Sequence, residues 1–191
     1  ILKNAAELGH YIADAPVPLH ACSNHNGQLT GQQGIHAFWE SRIPELFAAE
    51  QWDFFIGKAV YIRDPAAFIW ARLLESAAAA DTVLRTEREA SLEIRPDQQF
   101  AFENRKGLLV RQYSTAYASL YNRKLNNMVE RRMRQSIFAV ASFWYTAWVN
   151  AGQPALEELS HNSSDTAEQA EYRLLNLEWK KGKALGRDCG E

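Results

Sequence analysis

His10 and Asp14 stand four residues apart in ELGHYIADA, His36 and Glu40 repeat that spacing in GIHAFWE, and His20 lies between the two pairs in PVPLH. Four of the five histidines therefore fall between His10 and Glu40. Side chains at i and i+4 leave one face of a helix, so each pair can converge on a single cation. Each pair is half of a site, and His20 is placed to complete either half. Imidazole nitrogen with carboxylate oxygen is the ligand set that suits zinc, and three protein ligands leave a fourth position open to water or substrate. Open sites of this kind are catalytic rather than structural. A single His and Asp one turn apart is more often a surface hydrogen-bonded pair. Two such pairs around a proline-bracketed histidine form a pattern that chance rarely supplies.

Positioning these side chains falls to helices. The first spans ELGHYIADA, with Leu8, Tyr11 and Ile12 as apolar contacts, and it must end where Pro16 and Pro18 turn the chain. The second carries His36 and Glu40, with Ile35, Phe38 and Trp39 to pack. Pro44 opens a short helix, and the aromatic cluster Phe47, Trp52, Phe54 and Phe55 reads as core, with a lipid or base pocket as the functional alternative. Asp64-Pro65 is an N-cap acid followed by proline at the first helical position, opening a helix to about Ile94 with Phe68, Ile69, Leu73, Val83 and Leu84 inward. Its Ala77–Ala80 run offers a small-residue surface for a crossing neighbour.

Arg95-Pro96-Asp97 breaks the pattern. A long amphipathic run follows from about Gln98 to Asn150, interrupted near Gly107, with Tyr113, Tyr117, Leu120, Met128, Ile137, Val140, Trp144 and Trp148 at helical spacings. Its polar face, Arg123, Lys124, Arg131, Arg132 and Arg134, reads as solvated and balanced by Glu103 and Glu130, the functional alternative being attraction of an anionic substrate. Ala151-Gly152-Gln153-Pro154 stops the helix. Beyond a polar stretch, residues 165–181 form a final helix whose Leu174, Leu175, Leu177 and Trp179 are expected to fold back, and GKALGRDCGE is a tail. With no strand-like alternation, repeat or phosphate loop, the expected fold is an all-α helical bundle with long amphipathic helices. Residues 1–160 are the helical metal-binding domain and 161–191 a polar linker, terminal helix and tail.

The order H-x-x-x-D, then P-L-H six residues after the Asp, then H-x-x-x-E resembles the zinc-dependent phospholipase C family and its relatives, the single-strand-specific nucleases, with bacterial exported members closest. Glu40 fits phospholipase C better, since the nucleases usually carry Asp there. Pro16 stands where many relatives have His or Asn, a position that is not a ligand. The resemblance implies a helical bundle of that type and up to three zinc ions. His10 and Asp14 would sit on a pair of zincs, Asp14 bridging them as the catalytic carboxylate, and His20, His36 and Glu40 would hold the third. It implies hydrolysis of a phosphoric ester by metal-activated water, most simply of a phosphodiester: a phospholipid, a nucleic acid or a small molecule. It also implies an extracytoplasmic location.

The family's remaining ligands come from upstream, and no histidine precedes His10. The chain thus looks like the C-terminal half of such an enzyme, needing its N-terminal half as partner and nearly inactive alone. Two other readings stay open: a non-catalytic helical domain with a structural zinc clamp or interaction surface, and histidines that merely pack or hydrogen-bond.

Composition narrows the classes further. At 191 residues with 47% hydrophobic and 12% aromatic content, the chain can bury a sizeable core. A net charge of −2 argues against a protein whose main task is gripping duplex phosphates. No apolar run approaches the ~20 residues needed to span a bilayer, residues 1–20 lack signal-peptide features, and the chain is expected to be soluble as written. Cys22 and Cys189 read as free thiols, Cys22 as a small buried residue beside a ligand. His25 and His161 read as solvated loop and linker residues.

Overall fold

A computed structural model describes residues 1–105, 107–157 and 166–181. The chain divides into two units, Ile1–Asn150 and Ala151–Glu191.

In the first unit, α1 (Leu2–Asp14) ends before Pro16, and Pro18 opens a 3₁₀ turn, Pro18–Ala21, that carries His20. A loop follows to Gly34, which takes φ +91° as the N-cap of α2 (Ile35–Ala37). The helix then widens into a π segment, Phe38–Arg42, and continues as α3 (Ile43–Gln51). Asp64 accepts a hydrogen bond from the Ala67 amide at 2.9 Å and, with Pro65 in the first turn, starts α4 (Pro65–Glu93). Ser76 and Ala80 are buried against the His20 turn, and the Ser76 hydroxyl donates to the Ala15 carbonyl at 2.6 Å.

The all-α expectation is corrected at residues 100–113. The described residues are mostly helical, but here β1 (Phe100–Arg105) and β2 (Leu108–Tyr113) pair antiparallel, from Phe100 opposite Tyr113 to Arg105 opposite Leu108. The hairpin closes at Gly107, whose φ of +86° suits glycine. The run expected from about Gln98 to Asn150, interrupted near Gly107, is therefore three pieces: the hairpin, α5 (Thr115–Lys124) and α6 (Met128–Asn150). Ser114 caps α5, while Asn126 and Asn127, at φ 51° and 54°, break α5 from α6.

Leu19, Phe38, Ile43, Val83, Tyr121 and Val129 centre the core. The expected aromatic cluster divides. Phe47 is buried and Trp52 packs on the core, but Phe54 is partly exposed and Phe55 is 87% exposed, because the chain runs extended after Gln51. That extended segment gives its Val60 and Ile62 amides to Ser142 and Thr146 of α6, at 3.2 and 2.9 Å. α1 lies on α6 through Gly9, beside Trp144, and the Trp144 indole donates to the Ala5 carbonyl at 2.9 Å.

In the second unit, α7 (Thr166–Lys180) leaves Tyr172, Leu174, Leu175 and Leu177 exposed. His161, the Trp179 side chain and the GKALGRDCGE tail lie outside the described residues. Among the described residues no helix is long and apolar enough to cross a membrane.

Candidate metal centre

The Pro18–Ala21 turn, α2 and the π segment bring three donors to one point. His20 Nε2 and His36 Nε2 are 2.9 Å apart, His36 Nε2 and Glu40 Oε2 2.6 Å, and His20 Nε2 and Glu40 Oε2 3.4 Å. Bond lengths of ~2.0–2.2 Å in a tetrahedral site put neighbouring donor atoms about 3.3–3.5 Å apart, so small outward rotations would admit a cation at the centre. His20, His36 and Glu40 are thus a group that could hold a metal ion. Burial pushes the Glu40 carboxyl up, but hydrogen bonds from His20 and His36 together outweigh it and bring the group to about 2. The same Glu40 contact raises His20 above its ordinary value, against the opposing effect of burial and with Asp14 adding to the rise. A carboxylate held ionised between two imidazoles is a suitable donor set for a divalent ion.

His10 and Asp14 lie beside this group and outside it. Asp14 turns one oxygen to His10 Nε2 at 3.5 Å and the other to His20 Nδ1 at 3.7 Å. The five residues form a chain, His10 to Asp14 to His20, then His36 and Glu40. His20 has its two ring nitrogens on different partners: Nε2 faces His36 and Glu40, while Nδ1 lies 3.7 Å from the Asp14 carboxylate, a charge contact rather than a hydrogen bond.

The loop between His20 and His36 is built by its own polar side chains. Asn24 accepts from the Leu29 amide at 2.8 Å and donates to Thr30 at 3.0 Å, and Asn26 accepts from the Gly34 amide at 3.0 Å. Gly27 has φ +74° and faces the Gln32 carbonyl so closely that a Cβ there would stand 2.3 Å from its oxygen. Gln32 then ties the loop to α4, its Nε2 donating to the Leu84 carbonyl at 2.8 Å and to Glu87. The buried Glu87 carboxylate takes a second hydrogen bond from Tyr117 on α5. On the other side, Arg42, only 4% exposed, donates to the Tyr113 carbonyl at 2.9 Å and pairs with Glu45 and Glu103, fastening the hairpin to the Glu40 helix.

Several of these residues escaped sequence reasoning. His25 stands with its ring centroid 6.2 Å from that of His36, beside the candidate centre rather than apart from it. Its loop has no periodicity to reveal that; the available signal is the Asn- and Gly-rich SNHNG, which builds a fixed turn. Glu103, expected to balance the arginines of α6, is engaged by Arg42 and Arg105 instead. Cys22 is a half-buried free thiol against the Leu19 carbonyl, its pKa pushed up by burial. A cavity of about 600 Å³ opens beside the cluster, with His10, Asp14, Glu40 and Arg132 among walls otherwise mostly apolar, including Trp39 and Trp144. No family model matches the chain, and no curated protein and no solved structure matches it.

Proposed function

We propose that this chain is the helical metal-binding part of a zinc-dependent phosphoric ester hydrolase acting on a phosphodiester in an extracytoplasmic compartment. The convergence of His20 Nε2, His36 Nε2 and Glu40 Oε2 carries the reading. These three would hold one zinc, and His10 and Asp14 would contribute to a second and third. Zinc supplies Lewis acidity and a water nucleophile near neutral pH. The chain's own residues do the rest. Asp14 sets its negative charge beside His20 Nδ1, Glu87 and Gln32 hold the His36 loop, and the adjoining cavity takes the apolar part of a phosphoric ester beside the Arg132 guanidinium.

The test is hydrolysis of a chromogenic phosphodiester by the full-length protein. Activity should vanish with chelator, return with zinc and be lost in His36→Ala, and the 191-residue chain alone should be nearly inactive. Chelator-insensitive turnover, or equal zinc before and after His36→Ala, refutes the proposal. A non-catalytic zinc clamp is favoured by one observation, the His25 ring beside His36, which could fill the fourth position. Zinc binding by full-length protein without hydrolysis would select that reading.

A further inference from the structure

α6 has a second populated flank. Arg132, Met133 and Ser136 face the cavity beside the histidines, whereas Arg131, Arg134, Gln135 and Phe138 line a separate cavity of about 390 Å³ with Arg72 and Phe68 of α4. That volume lies within the ~300–1,000 Å³ usual for small-molecule sites. Three guanidiniums line it, and their local acids do not balance them. Glu75 serves Arg72 at 2.7 Å and Arg132 at 3.7 Å, while Asp53, largely exposed, lies 3.6 Å from Arg134. Glu130 is nearby but takes the Asp53 amide at 3.3 Å. Arg131 donates to the Asn126 carbonyl and has no carboxylate partner among the described residues. Arg72, Arg132 and Arg134 thus share the Glu75 and Asp53 carboxylates, and Arg131 pairs with neither. Burial pulls the Arg132 guanidinium's pKa down against the attraction of Glu75, with smaller contributions in the same direction from Arg72 and Arg131.

Two features point to a ligand rather than to a solvated face. The Nε–H of Arg72 is buried without an acceptor, which leaves this guanidinium incompletely satisfied at the cavity wall. The remaining walls are aromatic: Phe68, with the Arg72 guanidinium 5.5 Å from its ring centroid, and Phe138. Guanidinium forks match the oxygens of phosphate, and aromatic walls take a flat or apolar group.

We propose that this cavity is an anion site for a phosphate ester carrying an apolar or aromatic group, with Arg131 and Arg134 as the main phosphate contacts and Phe68 and Phe138 against the organic part. It does not depend on the zinc reading. The test uses isothermal titration of the purified protein in excess chelator, with phenyl phosphate as probe. Phenyl phosphate should bind, inorganic phosphate and phenol more weakly. Arg131→Gln, at an exposed position that leaves the core untouched, and Arg134→Gln should each weaken binding about tenfold, the value of one charge-assisted hydrogen bond. His36→Ala should bind as the parent does. A nucleoside 5′-monophosphate and a short-chain phosphatidic acid distinguish a nucleotide from a lipid as the phosphate's source, and tighter binding of either one supports the site. No binding in chelator, affinity unchanged in both arginine variants of native circular dichroism, or loss in His36→Ala overturns it.

Discussion

Gln32→Ala and Tyr117→Phe form a pair that separates support of the metal site from support of the fold. Both remove a donor from the buried Glu87 carboxylate, one on each side, but only Gln32 belongs to the loop that ends at α2. A hydrogen bond to a charged group is worth ~1.5–3 kcal/mol and one to a neutral carbonyl ~0.5–1.5 kcal/mol, so losing the Gln32 amide, which also serves Leu84, costs about 2–4.5 kcal/mol. Tyr117→Phe loses the first contribution only, about 1.5–3 kcal/mol. At ~2–4 °C per kcal/mol for a chain of this size, the melting temperature falls by about 4–18 °C and 3–12 °C respectively.

Zinc affinity should part the two variants. With the loop untied from α4, Gln32→Ala should weaken zinc by up to about tenfold, at or below what losing a direct outer partner of a ligand costs, because Gln32 acts on His36 only through the loop. Tyr117→Phe should leave it within about twofold. The assay is competition against a chromogenic chelator at a temperature where circular dichroism shows both variants fully folded. If Tyr117→Phe weakens zinc as much as Gln32→Ala, or if Gln32→Ala leaves affinity unchanged, the loop tether is not what positions His36.

In full-length protein, Asp14→Asn should lower turnover by orders of magnitude with the fold intact, whereas Glu40→Gln should cost one zinc only; full zinc and near-normal turnover in Asp14→Asn would remove Asp14 from the site. Gly9→Leu should destabilise by about 1–3 kcal/mol through overpacking, since even a Cβ there stands 3.0 Å from Trp144 and 3.4 Å from Val140; an unmoved denaturation midpoint refutes that packing. Glu103 is held below the usual carboxylate range by its Arg42 hydrogen bond, and Glu45 by its Arg105 hydrogen bond. A depressed folded value stabilises above the ordinary 4.5 and loses that stabilisation as pH falls below it, so melting temperature should drop more steeply below about pH 4.5 in the parent than in Glu103→Gln. Parallel acid profiles would show that the pair contributes nothing.

The pairing of His36 with Glu40 was legible because the two share a helical turn, and the prolines put His20 within reach; spacing alone left open whether His20 joins that pair or His10 and Asp14. The hairpin was not. Tyr113, Tyr117 and Leu120 keep a helical spacing straight across the strand-to-helix junction, so Gly107 reads as a blemish in a helix rather than the point where FAFENR folds back on LLVRQY. What holds that hairpin in place is the buried Arg42, whose partners lie about sixty to seventy residues away, a relation that periodicity does not carry. The same limit applies to Glu87, which looks like one more charge on a long helix until Gln32 and Tyr117 reach it from either side.

The donors of the candidate centre span only His20 to Glu40, while the residues that stiffen their loop, Glu87 and Tyr117, come far later in the chain. In a chain made from its N-terminus, the donors emerge and meet through a short, inexpensive loop closure well before α4 and α5 exist. Were a metal to bind there, its capture and its retention would be separate events in time. The first needs only a local stretch of about twenty residues; the second waits for a carboxylate delivered by a distant helix. Early occupancy would close the loop from His20 to His36 and present α4 with a folded edge, so that the metal, where it binds, is a folding ligand before it is anything else.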